Sequence, residues 1–565
     1  MGFGIVGRVI VTSAFASRFL SLGRVVARAK MSVKWREMTV RPYWAQILAF
    51  IVAVIASYVA LFHADQPLLE REAFRQTQTA LTSYWMIKEG WQLAYQTPML
   101  GYPWTIPLEF PFYQSIVAFI TLTTGFSLDA VGRLVSFGFS LACAWPAFAI
   151  ARRLKLTSTV AWIFCALLWS SPQYLYWGRT FLMETAAVFF TLAAVPYALD
   201  LRDHSPKWSS VLLFGMFASL GLLQKGTTAA PVLLVLGLLI CITHLRKKPA
   251  IWHRRWVPVA IALVLPIIVG GLWTYYAARI RRDNFFAASA FVPAVYVGRL
   301  DLRFNLSVWK TIVLDRVIIN NAAWGLGVSI IFCALIIGEN RLKAIILVCI
   351  ILLFLPILLF MNSHYWLDYY QTAIVVFLIA ALALSIYVFQ IKIYPIAPIT
   401  AVVLVVANFA NFMTGYGRYG RLLQGDLSEK RALSVGNVIR RYTPEDSAIA
   451  VFELATVDDP MPPITSYSPE IIYYSHRKGL TVEEGRARNM SDDLLRYLGG
   501  KDLGAIVICK PNLENFLRFV PRYDNSSVIF FEIDSCYVWL PRVSSVILEN
   551  GRPADRITVT SDRKL

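Results

Sequence analysis

Stretches of about twenty mostly apolar residues recur along this chain, and nothing else in it narrows the possible folds as much. A backbone surrounded by lipid has no water to bond, so such a stretch is stable there as a helix whose peptide groups bond one another. The first runs from Trp44 to Phe62, and others lie at 112–125, 128–150, 157–176, 181–200, 209–223, 228–245, 256–277, 315–338, 342–361, 365–389 and 396–414. Composition agrees. Of the 565 residues 57% are hydrophobic and 16% charged, where soluble domains carry about 25% charged residues. The sequence predicts a polytopic α-helical membrane protein.

A formal net charge of +19 would suggest a nucleic-acid partner in a soluble chain. Here the basic residues fall between apolar stretches, where they mark cytoplasmic loops. Arg152, Arg153 and Lys155 form one such loop, and Arg246, Lys247, Lys248, Arg254 and Arg255 another, with Arg341, Lys343 and Lys392 in two more. No nucleic acid is expected; the charge serves orientation and contact with anionic lipid. With these loops inside, the segments 63–111, 172–180, 224–227, 278–310, 362–368 and everything beyond about 415 fall outside. Stretch 128–150 then runs inward, so 112–125, with only about 14 residues, reads as a re-entrant or interfacial helix. About eleven true spans remain, with the N-terminus in the cytoplasm. Residues 1–42 read as a basic cytoplasmic leader, since no small-residue cleavage site follows an apolar core.

The tail, 420–565, changes character. Charge, Pro and Gly return, with strand-like runs at 448–452, 505–509, 528–533 and 537–540 and helical stretches near 428–442 and 492–498. This predicts a small α/β soluble domain on the outer side, after a transmembrane domain over 43–415. No catalytic constellation is visible in it. Five of the seven cysteines lie in apolar stretches, and no C-x-x-C occurs. Cys509 and Cys536 lie in the tail and can pair if it faces an oxidising compartment.

The outer segments hold the candidate chemistry. In 72–88 the helical period puts Glu72, Arg75, Gln76, Thr79 and Ser83 on one face and Phe74, Leu81 and Trp85 on the other. That predicts a helix lying on the membrane with its polar side toward a cavity; a solvated surface helix is the plainer reading. Arg179, Glu184 and Lys225 stand at the outer ends of apolar helices. Ionisable groups there are costly unless they pair or face water. Snorkelling to the interface serves Arg179 well and Glu184 less well. His364 opens a span from the outer side, where a lone histidine more often satisfies a hydrogen bond than binds a metal. Carboxylates on one side of a membrane can act as a base or hold a divalent cation. Arg and Lys can hold phosphate oxygens. Together they suit group transfer from a lipid-linked phosphate. There is no P-loop, which argues against nucleotide-driven transport.

In order and placement, Phe74-Arg-Gln-Thr-Gln-Thr-Ala80, Pro107-Leu-Glu-Phe-Pro-Phe-Tyr-Gln114, the stretch 125–133, Gly178-Arg-Thr-Phe-Leu-Met-Glu184, Gly221-Leu-Leu-Gln-Lys-Gly226 and the stretch 364–371 form a recognisable series. The series resembles the GT-C class of polyprenyl-phosphate-sugar-dependent glycosyltransferases, in particular bacterial relatives of protein O-mannosyltransferases and lipid A aminoarabinose transferases. The resemblance covers 44–415 and implies inverting transfer of a sugar from a polyprenyl-phosphate carrier on the outer face. It implies a carboxylate base in the first outer loop. Relatives carry an Asp where this chain has Arg75 to Gln78, so Glu72, one turn earlier, is the first choice here, with Asp65 or Glu70 as substitutes. Glu109 matches an acid near the reaction centre and is the candidate ligand of a divalent cation. Glu184 matches the second acidic position. Arg75, Gln78, Arg179 and Lys225 are implied contacts of the carrier phosphate, with His364 and Tyr370 lining the site. Basic segment 278–310, with Arg279, Arg281, Arg282, Arg299 and Arg303, is expected to close over the phosphate. The acceptor would be an envelope glycan, lipid or protein, and the location a bacterial inner membrane. The competing reading is a lipid or lipid-linked-sugar flippase, which favours midplane charges and repeated halves.

Overall fold

The computed structural model describes residues 43–202, 206–246, 252–290, 296–414, 430–453, 469–483, 494–509, 529–533, 536–540 and 557–558. The leader 1–42, Lys247, Lys248, residues 291–295 of the basic outer segment, 428–429, 492–493 and Val528 lie outside the described residues. The site belongs to the unit Ala45–Leu565.

Apolar stretches become helices throughout. By length and composition, seven helices of the described residues can cross a membrane. There are eight if Leu306–Ile319 and Ala323–Ile337, bent by 102°, count as one span. About eleven were expected, and the difference has physical causes. Ser158–Ser170 breaks at Ser171 before continuing as Pro172–Trp177, and Glu184–Asp200 has only 17 residues. The third cause is the stretch Trp208–Leu245, which is a helical hairpin. Its backbone is extended at Lys225, and a Cβ on Gly221 would lie 3.3 Å from that of Ala229. Residues eight apart on one helix stand about 12 Å apart. Both ends of the stretch also return to one place: Ser210 Oγ donates to Asp200 Oδ2 at 3.1 Å, and His244 Nε2 lies 2.7 Å from the Leu201 carbonyl. Lys225 is therefore the tip of a hairpin. Phe112–Thr124 is a short helix of 13 residues, in line with the re-entrant or interfacial expectation.

The tail folds as a mixed sheet of β1 (Ala448–Glu453), β2 (Lys478–Glu483), β3 (Leu503–Cys509), β4 (Ile529–Ile533), β5 (Cys536–Leu540) and β6 (Ile557–Thr558). The order is β2-β1-β3-β5-β4-β6, with β1 parallel to both β2 and β3 and β5 antiparallel to β3 and β4. Alternation hides in β2 because Lys478, Gly479 and Glu483 dilute its apolar residues, so this strand was not predicted. Cys509 faces Cys536 across β3 and β5, and the two form a disulfide.

An edge strand exposes unpaired peptide groups, and β2 is covered by the first outer loop. Gly479 N donates to the Pro98 carbonyl at 3.0 Å, Thr481 N to that of Met99 at 2.8 Å, and Leu100 bridges Leu480. Asn284 holds the same loop by donating to the carbonyls of Leu100, Gly101 and Pro103 at 3.0–3.1 Å. One apolar core runs from Leu81, Trp85 and Leu100 of the loop to Val435, Ile449 and Leu480 of the tail.

The helix Ala73–Glu89 corrects the expectation of a helix on the membrane surface. Residues on all its sides are buried, including Arg75, Gln78, Leu81 and Trp85. Its apolar face meets protein: the Lys478 ammonium lies 4.7 Å from the Trp85 ring, and Leu81 is in the shared core.

Candidate active site

Two chain turns deliver the central charged groups. The carbonyls of Pro107, Leu108 and Glu109 are each pinned. Arg281 donates to the Pro107 carbonyl, Trp273 Nε1 to that of Leu108 at 3.1 Å, and Tyr95 Oη to that of Glu109 at 2.7 Å. Phe110 N then donates to the Leu223 carbonyl at 3.0 Å, and Gln224 Nε2 returns a bond to the Phe110 carbonyl at 2.8 Å. The loop is thus stitched to the hairpin tip, which brings Glu109 and Lys225 into one neighbourhood.

There two cation–carboxylate pairs form. Arg75 pairs with Glu109 and also donates to Gln78. Lys225 pairs with Glu184, the first residue of its helix, whose second carboxylate oxygen is buried and has no bonding partner among the described residues. The Lys225 ammonium stands 4.5 Å from the centre of the Tyr369 ring and 4.0 Å from that of Tyr370, within cation–π range. Arg75, Glu109, Lys225 and Tyr370 all act electrostatically on Tyr296. His364 is buried beside Tyr370, ring centres 5.8 Å apart. Burial, then Lys225 and Arg316, push its imidazole down to about 3, so it is neutral, and its Nδ1 has no partner among the described residues. Of the sequence candidates, Arg75, Gln78, Glu109, Glu184, Lys225, His364 and Tyr370 therefore converge.

Arg179 does not join them. It is buried in a second cluster, where Arg133 bonds Glu70 at 3.0 Å and 3.3 Å and Arg179 lies 3.8 Å from the same carboxylate. Arg133 also bonds the carbonyls of Ala64, Gln66 and Pro67, and Arg179 that of Phe62. Burial opposes the Glu70 charge, but Arg133 and Arg179 outweigh it and hold the carboxyl below its usual range. Glu70 is a fixed counter-ion that anchors the loop, a poor substitute base. Asp65 is exposed.

Glu72 sits half-buried at the start of the helix Ala73–Glu89 with φ +59°, a costly conformation for a residue with a side chain. Burial and then Asp368 push its carboxyl up to about 7, against the opposing pull of Arg71 and Arg316. The sequence did not single out Asp368 or Arg316; the only signal was an acid within the stretch 364–371. Arg281 bonds the first loop, Arg299 bonds its own segment, and Arg303 bonds its own segment and the carbonyls of Leu358 at 2.9 Å and Leu359 at 3.3 Å. Among the described residues no three His, Cys, Asp or Glu side chains group as metal ligands, and Glu109 is engaged by Arg75. The donor set does not fit a protein-built cation cage.

The family model for dolichyl-phosphate-mannose-protein mannosyltransferase matches residues 125–286, a stretch containing Arg179, Glu184 and Lys225. No curated protein matches the chain. Among solved structures, ArnT from Cupriavidus metallidurans in the apo state is 12% identical. The match covers 87% of this chain and 97% of that one, with a TM-score of 0.57. The same protein bound to undecaprenyl phosphate gives 13% identity, coverage of 88% and 98%, and a TM-score of 0.56. The apo oligosaccharyltransferase of Archaeoglobus fulgidus gives 13%, 83% and 70%, and 0.49. The likeness to ArnT establishes the fold: this chain has the GT-C arrangement to which its motif order pointed.

Proposed function

We propose that this GT-C-fold chain is a glycosyltransferase that moves a sugar from a polyprenyl-phosphate carrier to an acceptor on the outer, periplasmic face of a bacterial inner membrane. The observation that carries this reading is the meeting of Arg75 and Lys225, from different elements, around Tyr369, which also lies in the field of the Glu72 carboxyl. Glu72 takes the proton of an acceptor hydroxyl, whose oxygen attacks the anomeric carbon from the face opposite the phosphate. The bond from that carbon to the phosphate oxygen breaks, and polyprenyl phosphate leaves with the electron pair. Arg75 and Lys225 stabilise the charge that develops on it. Glu109 and Glu184 hold the two cations in place before the carrier arrives. The ArnT structure with undecaprenyl phosphate supports a lipid-phosphate donor, and the Cys509–Cys536 disulfide supports an oxidising compartment for the tail.

Transfer of radiolabel by the purified protein from a panel of polyprenyl-phosphate sugars to a crude envelope fraction tests the reading. Label should reach the acceptor and be lost in Glu72→Gln, Glu109→Gln and Lys225→Ala. If wild type transferred none across the panel, a flippase without chemistry would take first place.

A further inference from the structure

Asp368 joins three stretches of chain that are far apart in sequence. Its carboxylate pairs with Arg71 of the first outer loop and, at 3.0 Å, with Arg316 Nε of the π-helical segment Lys310–Ile319. Its backbone carbonyl accepts from Gln173 Nε2 at 3.0 Å. Arg316 is fixed further by the carbonyls of His364 at 2.9 Å and Tyr365 at 2.6 Å. The Asp368 side chain is only 10% exposed, so the two pairs are shielded from solvent on its side.

The residue after Arg71 is Glu72. The charged groups that face it are Arg71 from its own segment, Arg316 from the π-helical segment and Asp368 from the turn Asp368–Gln371; the Tyr369 hydroxyl also lies in its field. Two guanidinium groups within reach of one carboxylate would ordinarily engage it and hold it as a charged, unreactive partner. Both engage Asp368 instead, and among the described residues no ion pair to Glu72 forms.

We propose that Asp368 is a positioning residue for the base: it takes up Arg71 and Arg316 and so leaves the Glu72 carboxylate unpaired and free to accept a proton from the acceptor. This rests on the reading of Glu72 as base. Removing the Asp368 charge acts on Glu72 in one direction twice over, because a repelling anion disappears and two cations become available.

The test is the pH dependence of kcat/KM for transfer from a polyprenyl-phosphate sugar by full-length protein in detergent. Wild type should show an acid limb near pH 7. In Asp368→Asn that limb should move down by about one unit or more, with a plateau about tenfold lower as the base weakens. Asp368→Glu should restore the limb. Arg316→Gln should move it up, which gives a second readout if Asp368→Asn fails to fold. An Asp368→Asn enzyme slowed equally at every pH, or an unmoved limb in Arg316→Gln, overturns the proposal and leaves Asp368 a purely structural clamp. Glu72→Gln separates the two claims. Full activity there removes the base and this inference together. An inactive Glu72→Gln beside unmoved limbs removes this inference alone.

Discussion

Four carboxyl groups of the outer region differ in role because their neighbours differ. Glu70 has the Arg133 guanidinium on both carboxylate oxygens, Glu109 and Glu184 have one cation each, and among the described residues none pairs with Glu72. Glu72 is a base only when deprotonated, so activity should rise as pH passes about 7 and level off above it. Glu72→Gln should reduce transfer about 10²- to 10⁴-fold with little change in donor KM, measured from initial rates at pH 8. Lys225→Ala should cost about 10²- to 10³-fold in kcat, since it removes charge opposite the departing phosphate. Glu70 should affect stability. Its folded value is depressed from the ordinary 4.5, so pairing stabilises the fold above that pH and is lost as pH falls through the folded value. Glu70→Gln strands Arg133 as a buried cation and should destabilise by about 3–5 kcal/mol, read as a fall in detergent-solubilised Tm.

At the scale of elements, the hairpin Trp208–Leu245 sets the site more than any helix does alone. Gly221 permits its close turn: a Cβ there would stand 3.0 Å from Thr191 Oγ1 and 3.3 Å from the Ala229 Cβ. Gly221→Val should splay the hairpin, shift Lys225 away from Glu184 and lower both Tm and activity, at a cost of about 1–3 kcal/mol. A melting temperature unchanged from wild type would sink this account. The helix Ala73–Glu89 shows a limit of periodicity. An amphipathic pattern is the same whether the partner of the apolar face is lipid or a folded domain. Here the partner is the tail, and the helix is enclosed.

Across the whole molecule, the tail and the first outer loop share one core, and the tail is tied to the membrane helices as well. Tyr473 and Tyr474 both bond Asp129 in the first turn of the helix Leu128–Ala142, Tyr474 accepts from Leu68 N, and Lys478 pairs with Glu89 at 2.6 Å. The loop that carries Glu109 therefore depends on the tail for its order. A Tyr473→Phe, Tyr474→Phe double variant should make the tail cleave faster in limited proteolysis and should lower kcat. Replacing Cys509 and Cys536 by Ser should cost about 2–4 kcal/mol of tail stability, seen under non-reducing conditions and absent when wild type is measured in reductant.

Apolar length, loop charge and motif order determined the membrane class, the arrangement of helices and tail, and most of the residues that converge, because these depend on local chemistry that the chain carries in every conformation. Lys225 at a hairpin tip, and Glu109, Glu184, His364 and Tyr370 around it, follow from segments legible one at a time. Which cation each carboxylate meets was decided only by the fold. Arg133 and Glu70 are 63 residues apart, and Asp368 meets Arg71 and Arg316 from two other segments. A side chain's charge environment is set by groups within a few ångströms in space, and distance along the sequence does not report them. That is why Arg179 could be placed at a helix end yet not in its cluster with Glu70, and why Glu72 could be chosen as the base without the reason it stands unpaired.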